Sequence, residues 1–129
     1  MKLYSSYLAI GVGILMSCCG AVFAAGDAQH GQGLYQTMCI ACHSIDYKGI
    51  GPAHKGVFGQ KAGSRVDYLY SAALKSSKIV WTDKTLDKWL SNPEKLIPGQ
   101  KMAFMVPSAH DRADLIAYLK KEAGQADKP

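Results

Sequence analysis

Apolar residues recur at the spacing of a helix face in two segments, one near each end of the chain. In the first segment these residues are Leu34, Tyr35 and Met38. Asp27 can cap a helix that contains them and runs to about Thr37. In the last segment they are Leu115, Tyr118 and Leu119. Ser108, with Asp111 three residues later, forms a capping-box pattern for a helix that runs to Gly124.

Between these segments the pattern is weaker and predicts two shorter helices. One spans about residues 66–75 and the other residues 82–92, where Pro93 stops it. No segment alternates apolar and polar residues as a strand would, so the predicted fold class is all-α. The connections at residues 44–64 and 93–107 are long and rich in Gly, Pro and Lys. Such short helices bury little apolar surface, and we therefore expect a non-protein group to fill the centre.

The first residues of the chain are almost continuously apolar. Lys2 gives a positively charged start, and an apolar stretch over residues 8–23 ends in small residues. This pattern predicts a signal peptide over residues 1–24, cleaved after Ala24. The remainder, residues 25–129, has the length of a single domain.

Two other interpretations of this segment stay open. Residues 7–25 come close to the length that spans a bilayer, so an uncleaved membrane anchor is one alternative. A weak lipoprotein-type pattern before Cys18 makes lipid attachment at that residue the other. In either case Cys39 and Cys42 are the two cysteines beyond the segment.

The charge balance narrows the class of partner. The chain has 15 Lys and Arg against 10 Asp and Glu, a formal net charge of +5. The basic residues are scattered and form no Arg-rich helix, which argues against nucleic-acid binding. We expect an acidic protein partner instead.

Cys39 and Cys42 are separated by two residues and followed directly by His43. At this spacing two thiols can bond the vinyl groups of a haem while the adjacent imidazole reaches the iron. The competing interpretations are a thioredoxin-like dithiol, a zinc site and a disulfide. The dithiol needs a βαβ context and zinc needs a second pair of ligands, and neither interpretation explains His43. The motif therefore predicts one covalently attached haem c, with its iron, per chain.

The iron has a second axial position, where a methionine favours the reduced state. The candidates are Met38, Met102 and Met105. Met38 adjoins the attachment site and is expected in the core. Met102 lies in a Pro-Gly loop, where a turn can direct its side chain inward, and Met105 can be its packing neighbour.

Several short segments match one family pattern together with the haem motif. They are Gly51-Pro52, Val80-Trp81-Thr82, Asn92-Pro93, residues 97–104 and residues 114–121. On these segments the chain, from Gly26 to about Ala123, resembles a class I, mitochondrial-type cytochrome c. The resemblance implies that the N- and C-terminal helices cross, with Gly31 and Tyr35 against Leu115 and Tyr118. A close crossing would explain a glycine inside the first helix.

The resemblance also implies the roles of individual residues. The haem thioethers and axial iron ligands would be Cys39, Cys42, His43 and Met102. The Pro52 carbonyl is expected to accept a hydrogen bond from the His43 ring, which would fix the ring's orientation. Tyr70 and Trp81 are expected to hydrogen-bond a buried haem propionate.

Three positions depart from the family pattern. Gln60 stands where many relatives carry an arginine, so the inner propionate is expected to be less well compensated. Trp89 replaces a common tyrosine near the axial methionine. His54 falls where a leucine usually packs, and we expect its side chain to turn to solvent beside Lys55. Two further histidines, expected to be ordinary surface residues, are His30 and His110.

The function expected from these features is that of an exported, periplasmic, monomeric electron carrier without a small-molecule substrate. Its partners would be a redox donor and acceptor, such as a cytochrome complex and an oxidase or reductase of a respiratory chain. The lysines expected to ring the exposed haem edge are Lys48, Lys55, Lys95 and Lys101. A fixed haem subunit of a larger oxidoreductase is one alternative. A haem peroxidase or gas-sensing domain is another, but it needs an open axial position, against which Met102 argues.

Overall fold

The computed structural model describes residues 25–126. Its α-helices are α1 (Ala28–Met38), α2 (Ala72–Ser76), α3 (Asp83–Ser91), α4 (Pro93–Leu96) and α5 (Ala109–Ala126). Within these residues there is no β-strand, and the chain forms only an isolated antiparallel bridge between Lys61 and Val80. The all-α prediction is therefore confirmed. The predicted signal peptide and its two alternatives lie outside the described residues.

No helix between residues 25 and 126 has the length and apolar character needed to cross a membrane.

The helices begin at capping side chains, of which Asp27 and Ser108 were predicted. The Asp27 carboxylate accepts the backbone N–H groups of Gln29 and His30 at the start of α1. Thr82 forms a reciprocal capping box with Thr85 at the start of α3. The Ser108 hydroxyl accepts the Asp111 N–H, at 3.2 Å, before α5. The first, third and last predicted helices are confirmed, because each has a local cap and a buried apolar face.

The middle of the chain differs from the prediction in two places. The helix predicted over residues 66–75 begins only at Ala72, after the cap residue Ser71. Val66 and Leu69 are 102% and 77% exposed, so residues 66–71 have no apolar face to bury and form turns. Pro93 ends α3 as predicted, but it also occupies the first turn of α4, a helix the sequence pattern did not predict.

Helices α1 and α5 cross in direct backbone contact. A Cβ atom added to Gly31 would lie 2.0 Å from the Asp114 carbonyl oxygen, so only glycine fits there. The buried rings of Tyr35 and Tyr118 pack beside this contact, with their centroids 5.3 Å apart. The predicted crossing of the terminal helices is therefore confirmed. Gly33 has no neighbouring atom within 4 Å of an added Cβ and is not required by the crossing.

The segment between α4 and α5 is fastened to both α3 and α5. The Val106 N–H donates to the Leu90 carbonyl at 2.8 Å. Arg112 donates to the carbonyls of Val106 and Pro107 at 2.9 and 2.8 Å, and its Nε lies 2.7 Å from the Asp87 carboxylate. These bonds fix the end of the loop that contains Met102.

Candidate functional site

A cavity of about 670 Å³ lies among the loops that surround α1, α3 and α5. Its volume falls within the range of roughly 300 to 1,000 Å³ that is typical of cofactor sites. All seven residues predicted to bind the cofactor or its iron line it: Cys39, Cys42, His43, Pro52, Tyr70, Trp81 and Met102. The fold thus brings together residues that are spread over half of the chain.

The two cysteines and the histidine are positioned by the end of α1. The N–H groups of Cys42 and His43 both donate to the Cys39 carbonyl, at 3.1 and 2.8 Å, in a tight turn. No disulfide joins the two cysteines. Burial raises the pKa of the Cys39 thiol to about 11, so the thiol stays protonated at neutral pH. This environment does not support the reactive-dithiol interpretation, because a thiolate is needed for that chemistry.

The His43 ring is held in one orientation. Its Nδ1 lies 2.8 Å from the Pro52 carbonyl oxygen. Because a carbonyl only accepts, Nδ1 carries the hydrogen, and Nε2 keeps the lone pair that a metal needs. Burial lowers the pKa of His43, which favours this neutral form. A Cβ added to Gly51 would lie 2.2 Å from Cε1 of the ring, so the glycine leaves a space that the imidazole fills.

The loop that carries Met102 is built around a turn at residues 97–100. Pro98 is the second residue of this turn, and Gly99 is the third, with φ of +84°. The Gln100 N–H donates to the Ile97 carbonyl at 3.2 Å and closes the turn. The Glu94 carboxylate accepts the Gly99 N–H at 3.0 Å and the Gln100 side-chain amide at 3.2 Å. The Gln100 side-chain oxygen in turn accepts the Met102 N–H. Sequence reasoning missed Glu94 and Gln100, whose side chains fix the backbone at Met102.

The three methionines occupy different environments. Met102 is partly buried against the core and lines the cavity. Met38 was expected in the core, but it is only partly buried and lines the cavity as well. Met105 is 54% exposed and is not among the described residues that line the cavity, so it is not a packing neighbour of Met102 there.

The expectation that His54 turns to solvent is wrong. Its ring stacks on the His43 ring with centroids 4.1 Å apart and an angle of 22° between the planes. Its Nδ1 lies 3.0 Å from the Tyr35 hydroxyl. Burial, with smaller contributions from His43 and Arg65, lowers the pKa of His54 to about 3. A neutral imidazole can be partly buried here because the Tyr35 hydroxyl satisfies its nitrogen.

Sequence reasoning also missed Arg65, which lines the cavity together with Gln60, Tyr70 and Trp81. Its guanidinium makes two bonds of 3.1 Å to the Asp67 carboxylate and one of 3.3 Å to the Lys55 carbonyl. Gln60 leaves the cavity without the arginine that many relatives carry at that position. Arg65 supplies a positive charge near the same part of the cavity instead. The sequence feature that could have pointed to Arg65 is that it is one of only two arginines in the chain.

The tryptophans close the cavity towards α3. Trp81 and Trp89 are 7% and 8% exposed, and their rings pack at an angle with centroids 5.3 Å apart. The backbone of Trp81 is paired with the loop before it, since its N–H donates to the Gln60 carbonyl at 2.9 Å. Burial raises the pKa of Tyr70, so its hydroxyl remains a hydrogen-bond donor at neutral pH.

Comparison with known proteins gives consistent matches. The sequence model of the family described as Cytochrome c matches residues 28–122. The chain is 48% identical to cytochrome c of Gibberella zeae, over 75% of this chain and 95% of that protein. It is 40% identical to cytochrome c2 of Rhodomicrobium vannielii, over 88% and 94% of the two chains. Cytochrome cH from Methylobacterium extorquens has a similar structure, with a TM-score of 0.71 and 43% identity, covering 74% of this chain and 99% of that chain.

The fold and the cavity define a class I haem protein of the electron-transfer type. The chain belongs to the cytochrome c family. It carries one covalently bound haem c with its iron and acts as a single-electron carrier for redox proteins, not as an enzyme. The donor set fits this group, because two thiols, an imidazole with a free Nε2 and a thioether line one cavity of suitable size.

Proposed function

We propose that the haem is attached through Cys39 and Cys42, and that His43 and Met102 are its axial iron ligands in a periplasmic electron carrier. The observation that carries this proposal is the convergence of all four side chains on one cavity, with the His43 Nδ1 already engaged by Pro52. When bound, the haem iron supplies the one-electron chemistry. The protein residues around it fix the ligands and keep the site dry.

Each proposed ligand has its own support. Pro52 and Gly51 orient the His43 ring, while Glu94 and Gln100 hold the backbone at Met102. Such outer contacts tune a metal by fixing the direction of its ligands. Three polar side chains line the same cavity and are proposed to hold the haem propionates, namely Tyr70, Trp81 and Arg65.

Methionine substitutions test the sixth ligand. Met102→Ala should lower the reduction potential, open the iron to cyanide or carbon monoxide, and remove the red absorption band of ferric thioether ligation. Met105→Ala should change none of these, because Met105 is exposed outside the cavity. Met38→Ala is the stricter control, because Met38 does line the cavity. Loss of the red band in either control, with Met102→Ala normal, would mean that the ligand is misassigned.

The location outside the cytoplasm rests on the predicted signal peptide over residues 1–24. Intact mass and N-terminal sequencing of the native holoprotein should give a chain that begins at Ala25. An added acyl mass on Cys18 would favour lipid attachment, and a chain that retains its first residues would favour the membrane anchor. The same native extract, run on a size-exclusion column, should give the holoprotein as a free monomer.

Docking to redox partners is proposed to use the lysines near the haem edge. Lys48, Lys55, Lys95 and Lys101 are all exposed. They are not equally free, because the Lys55 Nζ lies 3.2 Å from the Asp46 carboxylate and Lys48 donates to the Asp67 carbonyl. Long-range attraction raises the encounter rate, while a small wet interface keeps dissociation fast.

Stopped-flow rates with the native oxidase or reductase test this docking. The second-order rate should fall steeply from about 10 mM to about 0.15 M salt, as the screening length shrinks from about 30 Å to about 8 Å. Lys55→Glu with Lys101→Glu should slow the reaction further. The matched control is Lys84→Glu with Lys121→Glu, the same charge change at two exposed helix positions. A rate that does not depend on salt would show that the partner is not acidic.

A further inference from the structure

Two histidines and a carboxylate meet where α1 and α5 begin to cross. His30 lies in the first turn of α1, and His110 lies in the first turn of α5, four residues before Asp114. The His30 Nδ1 is 2.7 Å from the Asp114 Oδ2, and the His110 Nδ1 is 3.3 Å from the same oxygen. The three potential ligand atoms all lie within 4.8 Å of one another. None of the three residues lines the haem cavity.

The spacing of these atoms suits a small metal ion. Bonds of about 2.0 to 2.1 Å in a tetrahedral zinc site separate neighbouring ligand atoms by about 3.3 Å. The 3.3 Å between the His110 Nδ1 and the Asp114 Oδ2 equals this value, and the 2.7 Å between the His30 Nδ1 and the same oxygen is a hydrogen-bond distance. The two imidazoles are free to adjust, because the His30 and His110 side chains are 52% and 78% exposed.

The carboxylate, in contrast, is fixed. Asp114 is 1% exposed, and its Oδ1 accepts the Asp27 N–H at 2.7 Å. This bond directs Oδ2 towards both imidazoles, as a supporting contact does in known metal sites. The neighbouring charge is negative as well, since the Asp111 carboxylate lies 3.8 Å from the His110 Nδ1.

Two imidazoles and one carboxylate form a borderline donor set that suits Zn²⁺, Cu²⁺ or Ni²⁺ better than Ca²⁺ or Mg²⁺. We propose that His30, His110 and Asp114 form a binding site for a divalent transition-metal ion of the zinc type, which joins the starts of α1 and α5. The ion binds the folded chain only, since the two histidines are far apart in the sequence. It therefore stabilises the crossing by mass action. This inference is independent of the identity of the haem ligands.

The first test is calorimetric titration of Zn²⁺ into the mature holoprotein. One ion per chain should bind, and the haem absorption bands should stay unchanged because the site lies outside the haem cavity. Two swap variants are the controls: Gln29→His with His30→Gln, and Ala109→His with His110→Ala. Each keeps the number of histidines and moves one imidazole by a single residue, which is about 100° around the helix. Each swap should weaken binding at least tenfold.

Thermal unfolding provides the second measurement. Zn²⁺ should raise the midpoint of the native holoprotein and leave the midpoints of both swap variants nearly unchanged. All the exchanged residues are exposed, so the variants should fold normally, which their haem spectra would verify. No binding to the native protein at millimolar Zn²⁺ would overturn the proposal. Equal binding by the native protein and both swap variants would also overturn it, because the ion would then lie elsewhere.

Discussion

The crossing of α1 with α5 and the wall of the haem cavity are built in opposite ways. At the crossing, backbone meets backbone at Gly31, and the side chains of Tyr35 and Leu115 are each only 1% exposed. Around the cavity, the chain runs largely in loops held by local hydrogen bonds and glycine turns, and Ile50, which lines the cavity, is 77% exposed. The amino acids alone complete the packing of the crossing, whereas the cavity wall is completed only by a group that is not an amino acid.

The largest expected effect comes from removing that group. Cys39→Ala with Cys42→Ala should abolish haem retention through acid-acetone extraction and leave the chain largely unfolded. The reason is that the loops lose the surface on which they pack. Near-ultraviolet circular dichroism would measure the loss of fixed aromatic packing. A folded, haem-free double variant would contradict this difference between the two regions, since the loops of the cavity wall would then fold without the haem.

The next effect concerns the crossing itself. Gly31→Ala places a Cβ against the Asp114 carbonyl and should lower the free energy of unfolding by about 3 kcal/mol or more. Gly33→Ala is the matched control in the same helix. It meets no atom within 4 Å and should raise stability by about 0.5 to 1 kcal/mol. Chemical denaturation of the two holoproteins measures both values. A small loss of unfolding free energy in Gly31→Ala would show that the two helices can move apart at little cost.

A smaller effect is expected where the two regions meet, at the Tyr35 and His54 pair. His54→Leu leaves the buried Tyr35 hydroxyl without its hydrogen-bond partner. Tyr35→Phe leaves the His54 Nδ1 without its partner. Each should cost about 1 to 3 kcal/mol in the free energy of unfolding. The combined variant should cost less than the sum of the two, because it removes both polar groups. Additive costs would mean that the hydrogen bond contributes nothing.

The smallest effect is electrostatic and confined to the cavity wall. Arg65→Gln removes a positive charge beside the cavity and should lower the reduction potential, since the ferric state carries one more positive charge than the ferrous state. Lys78→Gln is the control, an equal charge change at an exposed residue outside the cavity lining. Potentiometric titration measures the reduction potential of both variants. Equal shifts of the potential in Arg65→Gln and Lys78→Gln would show that Arg65 acts only through the net charge of the protein.

What could be predicted from the sequence was local. The caps at Asp27 and Ser108 and the haem motif lie within a few residues of what they determine, so the pattern identified them. The misassigned helix at residues 66–71 failed because its apolar residues do not pack on the core. Glu94 of α4 acts on Gly99, five residues away, through a turn conformation that cannot be read from the sequence.

The partners of the histidines could not be predicted for a different reason. His54 turns inward to the Tyr35 hydroxyl of α1, and the two residues are 19 positions apart. His30 and Asp114 are 84 positions apart, so no spacing along the chain could have paired them. In both cases the partner comes into contact only when the chain has folded. A histidine in isolation then has the pattern of a surface residue.

The helix crossing also fixes the order in which this chain acquires its structure. The hydrogen bond from Asp27 to Asp114 closes a loop of 87 residues, although the entropy cost of closure rises only slowly with loop length. Helix α1 has no helical partner until residues 109–126 are available to pack on it, and short isolated helices are marginal in water. The crossing therefore forms only once nearly the whole chain is present. Until then residues 39–43 remain in an open chain, where their thiols are accessible for cofactor attachment.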